Sequence, residues 1–483
     1  MNLNNITNII NMELGGLYGH TKIKEMSEII NYYNIYDKGQ DWYVEEKDYT
    51  PTKKKTNYIK KLIKEESRFL FGKTPTFAIT TDNEGNEAKC ELIQDYLNDT
   101  LKQNLFSSKL IKGARDCFIG KRIAIKLHAD SVNKQIRIMF VPSLEFVYEP
   151  FEDRVDELKK IIFSHEMTEN PGETDKNKQV FWKQKYEMVE TRDNQGKIIS
   201  TKCIHWEAFV NGYGEVIEVL VDNEDLGLSG IPCYVVLNDG LSGDLDGESD
   251  VAEIMENQLA YNRLASEDID TILKGMNRTI YAVDVEDTSK FKLGPGAFWD
   301  VQTSSCTNKD NARAEIGIVE TDFNYNERMQ NKLSELKTDM HEVLNIPLIN
   351  NQDLKGMMTS GKSMKALYWQ LITRCEEKMQ DWRPALEWMV HAILEMTEVY
   401  NIASIPTLDN MVVTVENQYP LQEDEDNEKV LDMQQVNAQV MSRKTYIEKW
   451  DIAPSDEELK QIQLEKSMLE DTLSMYDSSH IDE

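Results

Sequence analysis

Apolar positions along the chain follow two rhythms. From 26 to 50 they recur at helical spacing with many aromatics (Ile29, Ile30, Tyr32, Tyr33, Tyr36, Trp42, Tyr43), and 57–71 predicts a second helix closed by a capping Gly72. From 75 to 240 the rhythm shortens to that of strands. β-rich runs cover Thr76–Thr80, Arg122–His128, Gln135–Val141, Lys160–His165, Val180–Val189, Ile198–Phe209, Val216–Val221 and Cys233–Leu237. Polar turns such as Asp193-Asn194-Gln195-Gly196 and Asn211-Gly212-Tyr213-Gly214 separate them, so an α+β region of mostly antiparallel sheet is expected.

After a polar loop at 238–248 a long helix is predicted from Ser249 to about Lys274, with Asp250 and Glu253 at capping-box spacing. Its apolar positions drift around more than one face, which implies packing on several sides. Residues 277–320 read as a small insertion with strands at Arg278–Asp284, Gly296–Val301 and Ala314–Thr321. A second long helix follows, Asn324–Leu344, about 32 Å in length. Beyond the loop 345–360, a third helix from Gly361 to about Tyr400 would run about 60 Å if straight. Its stripe of Met364, Leu367, Tyr368, Leu371, Cys375, Met379, Trp382, Leu386, Met389 and Ile393 reads as packing, and Pro384 should kink it. A strand at Val412–Val415 and an acidic run, Glu423–Asp426, lead into a C-terminal helical region through Leu473. No internal repeat is visible.

Composition narrows the class. A length of 483 residues, 40% of them hydrophobic and 29% charged, fits two to four folded units. No apolar run approaches the ~20 residues that cross a bilayer, and Met1-Asn2-Leu3-Asn4-Asn5 lacks the layout of a signal peptide, so a soluble cytoplasmic product is expected. Cys90, Cys117, Cys203, Cys233, Cys306 and Cys375 form no C-x-x-C pair and read as buried free thiols; the histidines form no H-E-x-x-H, so no metal is expected. The formal charge is −31, from 85 acidic and 54 basic residues, which opposes a tight grip on a phosphate backbone. Lys53, Lys54, Lys55, Lys60, Lys61 and Lys64 alternate with Tyr58, Ile59, Leu62 and Ile63 and read as the solvated face of an amphipathic helix rather than a nucleic-acid patch.

One string spells chemistry. Gly356-Met357-Met358-Thr359-Ser360-Gly361-Lys362-Ser363 matches G-x-x-x-x-G-K-[ST] throughout. A phosphate loop needs a buried strand before it and a second strand ending in a metal-binding acid. Here a long helix and the polar Asn345–Asp353 precede it, so the string is read as something other than a nucleotide site, and no cofactor is expected. The remaining catalytic patterns, nucleophile elbow and paired carboxylates, have no support.

Several phrases, in order, resemble the siphophage-like portal proteins of tailed bacteriophages. They are Tyr32-Tyr33, Asn57-Tyr58 and Phe69-Leu70-Phe71-Gly72-Lys73-Thr74-Pro75; Gly230-Ile231-Pro232, Asn238, Glu248-Ser249-Asp250-Val251 and Leu259-Ala260-Tyr261-Asn262; Asn345-Ile346-Pro347 and Ser360-Gly361-Lys362-Ser363-Met364-Lys365; and Asn417–Pro420, Met441-Ser442-Arg443-Lys444-Thr445 and Asp456-Glu457-Glu458-Leu459. The likeness covers nearly the whole chain.

The resemblance implies an α+β portal fold: a wing of helices and mostly antiparallel sheet at 1–248, stem helices at 249–276 and 321–345, a small αβ clip at 277–320, a tunnel loop at 346–360, a long kinked helix with a returning wing strand at 361–420, and a helical crown at 421–483. It also implies a non-enzymatic ring, usually of about twelve subunits, at one capsid vertex of the virion, through which DNA is packaged and ejected. The ring would be assembled in the host bacterial cytoplasm. Terminase and a head-completion adaptor would dock at the clip, and capsid and scaffolding proteins at the wing; no membrane partner is expected. Lys355, Met357, Met358, Thr359, Ser360 and Lys362 would face double-stranded DNA in the channel. The alternatives are a nucleotide-driven DNA motor using Gly356–Ser363, or a related ring in a headless tail-like particle.

Overall fold

The computed structural model describes residues 16–45, 49–81, 85–154, 157–169, 173–193, 198–240, 245–276, 279–283, 285, 315–319, 326–349, 361–408, 410–421, 425–438, 440–450 and 460–464. Two compact units share the chain: residues 1–348 with 370–420, and residues 349–369 with 421–483.

In the first unit, helices α1 (Gly16–Lys38) and α2 (Tyr58–Phe71) precede strand β1 (Thr76–Thr81), and α3 (Glu87–Gln103) and α4 (Phe106–Gly120) follow it. Then come β2 (Arg122–Asp130), β3 (Gln135–Pro142), β4 (Phe146–Pro150), β5 (Leu158–Glu166), β6 (Val180–Arg192), β7 (Ile198–Asn211), β8 (Val216–Asp225) and β9 (Cys233–Leu237). The strand rhythm of the sequence is reproduced closely. Helices α3 and α4 and strand β4 fall in the gaps between the β-rich runs, where no element was read. α1 starts and ends earlier than the aromatic stretch 26–50 suggested; Trp42 beyond it is buried in coil.

β4-β5-β6-β7-β8 form a five-stranded sheet and β3-β2-β9 a three-stranded one, with every pairing among the described residues antiparallel. Alternation along the strands gives the large sheet two apolar faces. On one face Val147, Ile162, Phe181 and Val210 pack with Met26 and Ile29 of α1. On the other, Phe146, Tyr148, Ile161, Phe163, Tyr186, Met188 and Cys203 pack with Ala124 and Cys233 of the smaller sheet.

A long helix α5 (Asp250–Met276) follows, then β10 (Thr279–Val283) paired with β11 (Glu315–Val319), then α6 (Asn326–Val343), which packs against α5. α5 also meets α1, α2 and α4, so its drifting apolar pattern reflects contact on several sides. The expected strand at Gly296–Val301 lies outside the described residues.

The helix expected at 361–400 is two helices, α7 (Gly361–Leu367) and α8 (Trp369–Val399), interrupted at Tyr368, with Pro384 inside α8. Leu371, Cys375, Met379, Trp382, Leu386, Met389 and Ile393 of α8 are buried as a stripe. Trp382 stands in a row of rings with Phe71 (5.1 Å), Phe140 (6.5 Å) and, through Phe140, Phe106 (6.2 Å) and Phe77 (6.1 Å). The chain then returns as β12 (Met411–Glu416) to pair with β1, Phe77 opposite Val415. In the second unit, α9 (Glu425–Asn437) packs on α10 (Arg443–Lys449), where Asp432 accepts from Lys449 Nζ (2.7 Å) and Trp450 Nε1 (3.0 Å).

Three local expectations are corrected. Gly72 is right-handed (φ −65°), so it does not act as a left-handed cap; a Cβ there would strike the Arg68 carbonyl oxygen and come within 3.3 Å of Pro420, and close approach is what requires glycine. Lys53, Lys54 and Lys55 precede α2, whose N-cap is Asn57, and lie on an extended strap. Cys117, Cys203, Cys233 and Cys375 are buried free thiols as expected, whereas Cys90 is half-buried.

Candidate functional site

The strap at 50–57 and helix α5 fit each other by simple geometry. Alternate residues of an extended chain are about 6.6 Å apart, and every fourth residue of a helix rises about 6 Å. Gln258, Asn262, Ser266 and Asp270 recur at that helical spacing. They accept from the backbone N–H groups of Tyr58 (2.8 Å), Thr56 (3.0 Å), Lys54 (2.9 Å) and Thr52 (3.1 Å), and Gln258 Nε2 returns a bond to the Thr56 carbonyl (2.7 Å). Lys53 and Lys55 meet Asp41 at 3.5 and 3.2 Å instead. The lysine run is therefore a bound strap plus a solvated helix face.

At the other end of α5 the expected capping box is replaced. Ser249 Oγ accepts from the Val251 N–H (3.3 Å) and donates to the Ile119 carbonyl (2.7 Å). Asp250 and Glu253 are drawn off by cations of α8. Asp250 Oδ1 accepts from Asn238 Nδ2 (2.9 Å), Arg374 Nη2 (3.1 Å) and Lys378 Nζ (3.1 Å), and its Oδ2 lies 3.0 Å from Lys378 Nζ. Arg374 also reaches Glu253 (3.3 Å) and Glu66 of α2 (2.9 Å). Asn238 closes the set, accepting from Lys378 Nζ at 2.7 Å and donating to the Glu248 carbonyl at 2.9 Å. Gly247, at φ +67°, lets the loop pass Asn238; a Cβ there would lie 3.0 Å from the Asn238 carbonyl oxygen.

Glu66 and Asp250 are completely buried and Lys378 nearly so. Burial alone would neutralise each of them. For Lys378 the Asp250 and Glu66 carboxylates overcome burial and hold the amine charged, well above its ordinary value; burial likewise opposes, but Lys378 and Arg374 prevail, to keep Asp250 below the usual carboxylate range. Asp239, Asp250 and Glu253 bring ligand atoms within 4.8 Å of one another, the only candidate metal cluster among the described residues. Lys378 and Arg374 already supply the positive charge there, so the arrangement is a structural joint tying α2, the loop after β9, α5 and α8.

The sequence-predicted channel residues stand elsewhere. Helix α6 ends with Asn345 in the left-handed region (φ 55°), where the Ile346 N–H bonds the His341 carbonyl (2.9 Å) and His341 Nδ1–H donates to the Ile346 carbonyl (3.1 Å). Pro347 then forbids helix continuation. Lys355, Met357, Met358, Thr359 and Ser360 lie outside the described residues, and Lys362 is the second residue of α7, its side chain also outside them. The described residues before the string, up to 349, are a helix followed by coil, and the described sheets contain no parallel pair of the kind a phosphate-loop fold stacks its loop upon.

Comparison with known families decides the class: the model for phage portal proteins, SPP1 Gp6-like, matches residues 18–471. The chain belongs to the phage portal protein family. The portal family is structural rather than enzymatic, and membership implies a ring oligomer at the capsid vertex with DNA and terminase as general partners. No curated protein matches the chain. Among the described residues, no helix is long and apolar enough to cross a membrane.

Proposed function

We propose that this chain is the repeating subunit of a portal ring, usually of about twelve copies, that admits DNA during packaging, releases it at ejection, and docks terminase and head-completion proteins. Family membership across residues 18–471 carries the reading. The packing of α5 on α6 around the β10–β11 pair supports assigning 249–276 and 321–345 to a stem and 277–320 to a clip that faces terminase and the adaptor. Residues 1–248 with the long helix and returning strand of 361–420 form the wing, which meets capsid and scaffolding proteins, and 421–483 the crown.

The mechanism is electrostatic. A subunit of net charge −31, repeated around a channel, repels a duplex carrying one charge per ~1.7 Å and lowers the barrier to sliding. The loop 346–360 lines the tunnel, with Lys355 and Lys362 in rings that touch phosphates in passing and Met357 and Met358 as adaptable apolar contacts flanked by Thr359 and Ser360. Negative-stain images of the purified chain test the proposal: rings with a central hole are expected, and monomers at high concentration would overturn it.

A further inference from the structure

At the joint, carboxylates outnumber cations. Glu66 meets Asp250 from α5 and Arg374, Cys375 and Lys378 from α8; Glu253 joins the group through Arg374 and Asp239 of the loop after β9 through Lys378, while Cys117 of α4 borders Asp250 and Lys378. Burial raises both thiols, which stay neutral.

The two oxygens of Glu66 are used unequally. Oε1 accepts from Arg374 Nε at 2.9 Å and lies 3.5 Å from Lys378 Nζ, whereas Oε2 is buried with no donor. An ionised carboxylate held so would lose the hydration of one oxygen without replacement. Asp250 is the neighbouring acid: Lys378 Nζ lies 3.5 Å from Glu66 Oε1 and 3.0 Å from Asp250 Oδ2, and two ionised carboxylates drawn to one ammonium repel each other. One proton between them resolves both observations. A divalent ion is a poorer occupant, since Lys378 Nζ already sits 3.1 and 3.0 Å from the two oxygens of Asp250.

We propose that Glu66 is a proton-binding latch: it enters the joint as the neutral acid, its O–H donating to the Asp250 carboxylate, and its ionisation loosens α2 from α5 and α8. Burial and the Asp250 charge raise Glu66 from 4.5 to about 7 against the pull of Lys378 and Arg374. Across that window the folded chain holds a proton that the unfolded chain has lost, so this group's contribution to stability falls as pH rises and is gone above about 7.

The test is Glu66→Gln in the full chain, whose amide N–H₂ donates to Asp250 while its oxygen still accepts from Arg374. Wild-type melting temperature, relative to the variant, should fall by a few degrees between about pH 5 and about pH 8. Infrared spectra of wild type minus variant should show a protonated-carboxyl carbonyl band that disappears over the same range, Asp116, raised to about 6 by burial, cancelling in the subtraction. Lack of that band in the subtraction, or a variant less stable than wild type by the same margin at every pH, overturns the proposal. So does a melting temperature raised by Mg²⁺ or Ca²⁺ in wild type and not in the variant, which would assign the place to a metal ion.

Discussion

Two buried lysines in the same unit have opposite fates. Lys378 touches carboxylates on two sides and is held charged far above its ordinary value. Lys126 of β2 crosses from the small sheet to the large one, hydrogen-bonds Gln184, and lies over the rings of Phe163 (4.5 Å), Trp182 (4.9 Å) and Tyr186 (5.9 Å). Among the described residues no carboxylate salt-bridges it. Burial lowers its amine from 10.5 to about 8, with Cys233 and Glu207 opposing. At neutral pH the ammonium persists, supported by ring faces rather than countercharge. Equal burial therefore does not set the ionisation of a lysine; the first partners do. A lysine held by countercharge should be costly to remove, and one held by rings should not.

The sharpest break of that contrast is Lys378→Met. It strands Asp250, and above about pH 7 the ionised Glu66 as well, without their cation and should cost about 3 to 5 kcal/mol, read as a lowered midpoint in urea. In the Glu66→Gln background the loss should shrink above about pH 7, because one of the two stranded charges is then gone. Next is Ser266→Ala, which removes the acceptor for the Lys54 N–H and should cost about 1 kcal/mol, with faster amide exchange at Lys54 as the local sign. Lys126→Met should be smallest, within about 1 kcal/mol of wild type at neutral pH. Its effect should appear in alkali. Because the folded value lies below the unfolded one, wild type gains stability as pH rises from about 8 toward 10.5, and the variant should lack that gain. Lys362→Ala should leave the melting temperature unchanged, and neither it nor wild type should turn over ATP; lysine-dependent turnover would break the portal reading.

The helix and strand rhythms gave most of the first unit, because residues two or four apart settle which side of an element is buried. Helices α3 and α4 escaped: Leu92 and Leu105 are exposed there and dilute the pattern. Asn345-Ile346-Pro347 could be read as a helix stop, and its geometry agrees. The channel residues Lys355 to Ser360 remain a proposal from resemblance, and Lys362 stands at the start of helix α7.

The sequence by itself determined most of the elements, the acidic charge and the order of phrases that places the chain among portal proteins, since each of these is local or cumulative. Only the tertiary structure decided what the polar residues do. Asp250 and Glu253 looked like a helix cap until α8 brought Lys378 from 128 residues away, and nothing in the sequence pattern pairs Asp270 with the Thr52 N–H, 218 residues distant. A buried charge is fixed by whichever partner reaches it first in space, and spacing along the chain carries no record of that.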